Sequence, residues 1–180
     1  MTRVLGAVLA GGRARRFGSD KALARLGDAT LIEHVIAGLR PQVDALLVCG
    51  RVHATLPWVA DRPAPDLGPL GGLAAALRHA ADSGFDAVLS VPCDAPALPG
   101  DLRAAIAACG APCFLATLPV IGLWPASLAD RLDAFVATDP RRSVRGWGAA
   151  AGARACLPDL HIANVNAPAD LAALAAADRA

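Results

Sequence analysis

Aromatic residues make up only 4% of this 180-residue chain, and tyrosine is absent. The chain is 55% hydrophobic and leans on alanine, so its core is to be assembled from many small side chains rather than a few rings. Charge of either sign is scarce in net terms, at +1. No global field draws the protein to nucleic acid or to a membrane surface, and any basic function has to be local. No apolar stretch reaches the roughly 18 residues of a membrane span. The N-terminus runs directly into a strand-like segment, without a secretory pattern. The five cysteines (Cys49, Cys93, Cys109, Cys113, Cys156) form no C-x-x-C pair and do not cluster with histidine. They read as buried free thiols of a reducing compartment. His34, His53, His79 and His161 are scattered, with no partners for a triad or a zinc site. The expectation is a soluble cytoplasmic protein of one domain, residues 1–180. The two common nucleotide loops, G-x-x-x-x-G-K-[ST] and G-x-G-x-x-G, are both missing.

What is present is concentrated in VLGAVLAGGRARRFGSDKAL, residues 4–23. An apolar run over 4–10 is stopped by Gly11 and Gly12, which suits a buried strand of a parallel sheet. Glycines directly after such a strand let the backbone turn tightly and approach a ligand. Arg13, Arg15, Arg16 and Lys21 then give the loop a strong local positive charge, and its amides can face an anion. Lys21 is the only lysine beside 16 arginines. A chain that otherwise uses arginine places its one compact ammonium in its one Gly-rich basic loop, where a polyphosphate would lie.

The remainder alternates strands and helices. Strands are predicted over 45–49, 56–60, 87–91, 113–116, 120–124 and 160–165. Thr30 and Glu33 form a capping-box pattern ahead of Leu31, Ile32, Val35, Ile36 and Leu39. Further helices are predicted over 73–81, from 101 to about 110, and over 127–136, 141–151 and 168–177. The stretch DRPAPDLGPLGG (61–72) is a long loop. Such alternation argues an α/β fold of three layers, Rossmann-like, with a mostly parallel sheet and helices on both faces. Ligands of such sheets bind beyond the carboxyl ends of the strands.

Four polar motifs follow predicted strands. Asp94 in VPCDAP can hold Mg²⁺, which needs only one or two protein carboxylates when nucleotide phosphates supply the rest; it can also simply cap a turn. Asp66 in PDLGPLGG is either a turn residue or an acceptor for a base or a metal. Asn164 and Asn166 in NVNAPADL can meet the amide-like edge of a pterin, and Asn166 serves equally as a helix cap. Arg141, Arg142 and Arg145 offer either a second anion site or a solvated helix face.

The pattern L-A-G-G-x-x-x-R-x-G-x-D-K-A-L over 9–23, followed in order by PDLGPLGGL, VPCDAP and NVNAPADL, resembles the MobA family of molybdenum cofactor guanylyltransferases, nearly end to end. The resemblance implies a nucleotide-diphospho-sugar transferase-like fold. It also implies transfer of GMP from GTP to the phosphate of molybdenum-molybdopterin, with Mg²⁺ and release of pyrophosphate. It would place Leu9, Ala10, Gly11, Gly12, Lys21, Asp66 and Asp94 on GTP, with Asp94 also on the metal. Arg15, Arg16, Lys21 and Asp94 would serve turnover, and Gly72, Arg142, Asn164 and Asn166 the acceptor. Hand-over to a molybdoenzyme chaperone is expected of the family. Two departures stand out. The family's asparagine after the second strand is missing from LLVCGR, and the 112–124 segment is short and lacks a charged loop. They leave open a related cytidylyl- or sugar-phosphate nucleotidyltransferase, or a non-catalytic GTP-binding module.

Overall fold

β1 (Val4–Leu9) is buried along its whole length, because it lies mid-sheet with helices above and below. The computed structural model describes residues 2–11 and 20–177; Gly12, Arg13, Arg15, Arg16 and Gly18 lie outside that range. After it come the two-residue strands β2 (Arg25–Leu26) and β3 (Ala29–Thr30), which pair as an antiparallel ribbon. Thr30 is also the N-cap of α1 (Leu31–Leu39). The Thr30 amide donates to the Glu33 carboxylate at 2.6 Å, and the Glu33 amide donates to Thr30 Oγ1 at 3.4 Å, completing the expected capping box. Thr30→Ala is expected to lower stability by about 1 kcal/mol, roughly 2–4 °C in melting temperature, checked by thermal denaturation.

β4 (Ala45–Cys49) and β5 (Trp58–Val59) follow, then α2 (Pro69–Asp82), β6 (Ala87–Pro92) and α3 (Leu102–Ala107). β7 (Cys113–Leu115) and β8 (Gly122–Pro125) lead into α4 (Ala129–Thr138) and α5 (Val144–Ala151). β9 (Arg154–Cys156) and α6 (Pro168–Ala177) complete the described elements.

One seven-stranded sheet runs β5-β4-β1-β6-β8-β7-β9. Only β8 is antiparallel to its neighbours, so the sheet is mostly parallel, as expected. α2, α4 and α5 cover one face over Leu5, Ala7, Leu9 and Leu47. α1 and α3 cover the other over Val4, Val8, Leu46 and Val48. The scarce aromatics gather on the first face, where Trp124 stacks on Phe114 with centroids 6.2 Å apart and tilts against Trp147. Trp124 Nε1 donates to Ser90 Oγ at 3.1 Å, satisfying both buried polar groups.

Two expectations change. α2 begins at Pro69, four residues before the predicted start, because Gly71 and Gly72 belong to its first turns. A Cβ on Gly72 would lie 3.2 Å from Leu9 and 3.3 Å from Cys49, so the glycine lets the helix rest close on the sheet. The predicted strand over 160–165 is not a strand; the last strand of the sheet is β9. Residues 160–165 are apolar because they cover neighbours, not because they pair. Leu160 and Ile162 pack on the α1 side of the sheet, and Val165 is buried with Leu26 and Leu31 beneath Leu171 and Leu174 of α6. No described helix is long and apolar enough to cross a membrane.

Candidate active site

The carboxyl ends of β1, β4 and β6 deliver their loops to one place. The Ala10 amide donates to the Cys49 carbonyl at 2.9 Å, and the Cys93 amide to the Leu9 carbonyl at 3.1 Å, so the three chains stay together past the sheet. Gly11 and Gly50 then touch. Gly50 has φ 85°, and a Cβ there would stand 2.4 Å from the Gly11 Cα, so only glycine fits. In front of these ends lies a cavity of about 600 Å³.

Leu9, Ala10, Gly11, Lys21, Asp66, Asp94 and Asn164 all line that cavity, where the sequence expected nucleotide and acceptor contacts. Lys21 and Asp94, 73 residues apart, meet there: Nζ donates to Asp94 Oδ2 at 2.6 Å, with both side chains under one-fifth exposed. Lys21 Nζ also donates to Asn166 Oδ1 at 3.2 Å, which brings Asn166 to the site. The Asp94 main chain holds the C-terminal segment as well, its carbonyl accepting from the Val165 amide at 2.9 Å. Among the described residues, Asp94 Oδ1 and Asn164 Oδ1 are buried without a hydrogen-bond partner. Buried acceptors are rarely left this way, and in residues that line a cavity they are candidates for meeting a ligand.

Asp94 Oδ1 suits a hard cation. Among the described residues no cluster of three or more His, Cys, Asp or Glu could enclose a metal. A single orphaned carboxylate oxygen therefore fits Mg²⁺ arriving with phosphates rather than a metal caged by protein. Cys93 also lines the cavity, but burial first, and then the Asp94 charge, push its thiol up to about 12. It is a protonated spectator at neutral pH, not a nucleophile.

Other expectations are not met in the same way. Gly72 lies inside α2 and serves packing. Arg142 stands exposed before α5, with φ 46°, away from the cavity lining. Arg145 donates to the Ala116 carbonyl, a structural bond. Gly12, Arg15 and Arg16 lie outside the described residues. Asn166 does not cap α6 through its side chain. Instead the Asp170 carboxylate of that helix accepts from the Asn166 and Ala167 amides at 2.7 and 2.8 Å. Asp66 has φ 64°, an uncommon backbone state for a non-glycine residue, which fixes its place on the cavity wall.

One carboxylate escaped the sequence reading. Asp61 lies two residues past the end of β5, and Gly11, Gly50, Gly71 and Gly72 crowd around its side chain. Its Oδ1 is buried without a hydrogen bond. Burial, and then the charge of Asp66, raise its pKa. The available signal was position: an acidic residue at a strand's carboxyl end obeys the rule that singled out Asp94. Because the folded pKa lies above the unfolded value of 3.8, ionised Asp61 opposes folding above the folded pKa, and that penalty fades as pH falls towards 3.8. Asp61→Asn should raise the melting temperature at pH 7–8, and the gain should vanish near pH 3.5.

The model of the MobA-like NTP transferase domain matches residues 6–155. The chain belongs to that family. Among curated relatives, the molybdenum cofactor guanylyltransferase of Rhodobacter capsulatus is 41% identical over 180 residues, covering 94% of each chain. The solved molybdopterin-guanine dinucleotide biosynthesis protein A of Archaeoglobus fulgidus shares the fold at 20% identity, with a TM-score of 0.76 over 97% of this chain and 98% of its own. A Mycobacterium tuberculosis protein solved in complex with manganese is 18% identical, with a TM-score of 0.59 over 97% of this chain and 99% of its own. In this MobA-like chain the matched region includes Lys21 and Asp94, whereas Asn164 and Asn166 fall beyond residue 155.

Proposed function

We propose that this MobA-like transferase moves GMP from GTP onto the terminal phosphate of molybdenum-molybdopterin, releasing pyrophosphate and forming the guanine dinucleotide cofactor. The carrying observation is the Lys21–Asp94 pair at the joined ends of β1 and β6, beside a carboxylate oxygen without a partner. The 41% identity to a named guanylyltransferase supports the same reading.

In this mechanism a phosphate oxygen of the acceptor attacks the α-phosphorus in line. The bond from that phosphorus to the bridging oxygen breaks, and pyrophosphate leaves with the electron pair. Little covalent work falls to the protein, so positioning and charge neutralisation carry the catalysis. Lys21 holds the triphosphate as a point charge, and Arg15 and Arg16, outside the described residues, add positive charge for the leaving group. Asp94 Oδ1 would hold Mg²⁺, which when bound would supply positive charge beside the phosphates. The backbone of Leu9, Ala10 and Gly11 supports the nucleotide. Asp66, with Asp61 within electrostatic reach behind it, accepts N–H groups of guanine. Asn164 and Asn166 meet the pterin side. Residues 1–180 act as one domain, in the cytoplasm, where GTP is at hand and the cysteines stay reduced. A molybdoenzyme chaperone receives the product.

Calorimetry with GTP, CTP and ATP in the presence of Mg²⁺ tests the nucleotide half, and product formation with molybdopterin the other. GTP-selective binding with pyrophosphate release is the expected result. Preference for CTP would move the chain to cytidylyl transfer. Tight GTP binding without pyrophosphate release, with acceptor present, would leave only a binding module.

A further inference from the structure

Lys21 is held from behind as well as in front. Asp20, the residue before it, is the N-cap of the single turn Lys21–Leu23, with Oδ1 accepting from the Ala22 amide at 3.2 Å. The same carboxylate takes both guanidinium nitrogens of Arg51, at 2.9 Å to Oδ1 and 2.7 Å to Oδ2. Arg51, chiefly by hydrogen bonding, holds the Asp20 carboxyl below the usual carboxylate range. Arg51 itself follows Gly50, which is locked against Gly11 at the end of β4. It stands in the stretch LLVCGR, where the sequence showed only a missing asparagine.

We propose that Arg51 is a positioning residue for nucleotide transfer: through Asp20 it fixes the turn that aims Lys21 at Asp94 and the phosphates. Lys21 Nζ sits on β6's Asp94, while its backbone is tied to β4 by the Arg51–Asp20 fork. A bidentate guanidinium–carboxylate pair fixes orientation as well as distance, which a lysine at 51 would not do. The pair lies at the surface, with the Asp20 side chain 49% exposed. Exposed pairs add little to global stability, so this one should show itself in the geometry of Lys21 and not in the melting temperature. The catalytic part of the inference rests on the transferase reading; the geometric part does not.

Because Lys21 is the only lysine, growth on ¹³C-lysine labels a single side chain. Its ε-CH₂ NMR signal then reports the brace without any ligand. Arg51→Gln and Asp20→Asn, the latter keeping a capping side chain, are each expected to move that signal towards free lysine. The double variant should match either single. GTP–Mg²⁺ binding should weaken roughly tenfold in each single variant, as when a partner of a site residue is removed, and no further in the double. Melting temperatures should stay close to wild type. An unmoved Lys21 signal in Arg51→Gln, or effects on binding that multiply in the double variant, would overturn the proposal. A shifted signal in a protein whose wild type binds no nucleotide would uphold the brace and sink the transferase reading.

Discussion

Lys21→Ala should lower the rate of pyrophosphate release by roughly 10²–10³-fold, the usual cost of removing one preorganised donor from a developing anion. The reason is the position of its ammonium, 2.6 Å from Asp94 and 3.2 Å from Asn166, where the proposed nucleotide, metal and acceptor sides of the cavity meet. As charge accumulates on the leaving phosphates, a fixed cation beside them gains more in the transition state than in the ground state. The fold should survive. Lys21 lies on a single turn, in none of the three core clusters, and its loss leaves Asp94 beside the cavity, where water can reach it. Lys21→Arg should restore little, since a planar fork is larger and cannot replace a compact charge. Pyrophosphate release at saturating substrates, run beside a melting curve, checks this. Turnover within about threefold of wild type would remove Lys21 from the mechanism.

Asp94→Asn should abolish the part of GTP affinity that depends on Mg²⁺ and reduce turnover by at least about 100-fold. The substitution is nearly isosteric. With the amide oxygen accepting from Lys21, an NH₂ donor takes the place of Oδ1, the buried oxygen without a partner among the described residues, and the carboxylate charge is lost. A neutral amide is a poor ligand for a hard cation that meets few other protein oxygens here. The check is a GTP titration with and without Mg²⁺, with Mn²⁺ as a second ion. If the metal still enhances binding in the variant, Asp94 is not its ligand.

The central fold could be read before any coordinates because its strands are simple. Val4–Leu9, Ala45–Cys49 and Ala87–Pro92 lie between helix layers, so each is a short, mostly apolar run followed by a polar segment. The chain's one basic Gly-rich loop and its one VPCD turn follow two of these strands, and Lys21 and Asp94 could be named from that alone. The capping box was equally local. Apolarity failed where burial and pairing part company. In 160–165 the apolar Leu160, Ile162 and Val165 cover neighbours without pairing, whereas β9 begins with a charged residue at a sheet edge and gave no strand signal. Gly71 and Gly72 looked like loop because a glycine needed for close helix–sheet contact has the same letter as one needed for a turn. Arg51 and Asp20 are 31 residues apart in no periodic relation, so their pairing is a property of the closed structure only.

The crossing of residues 160–165 over the end of β6 also bears on how the enzyme is made. A ribosome delivers β1, β4 and β6 first, and domains gather from the N-terminal side as they emerge. The half of the pocket that carries Lys21 and Asp94 can thus assemble early. The wall that carries Asn164 and Asn166, pinned by Val165 to the Asp94 carbonyl, is translated at least 70 residues later. On the proposed roles, a nascent chain would present the Lys21–Asp94 half of the cavity before the Asn164 wall, and would become competent for transfer only when this late segment docks.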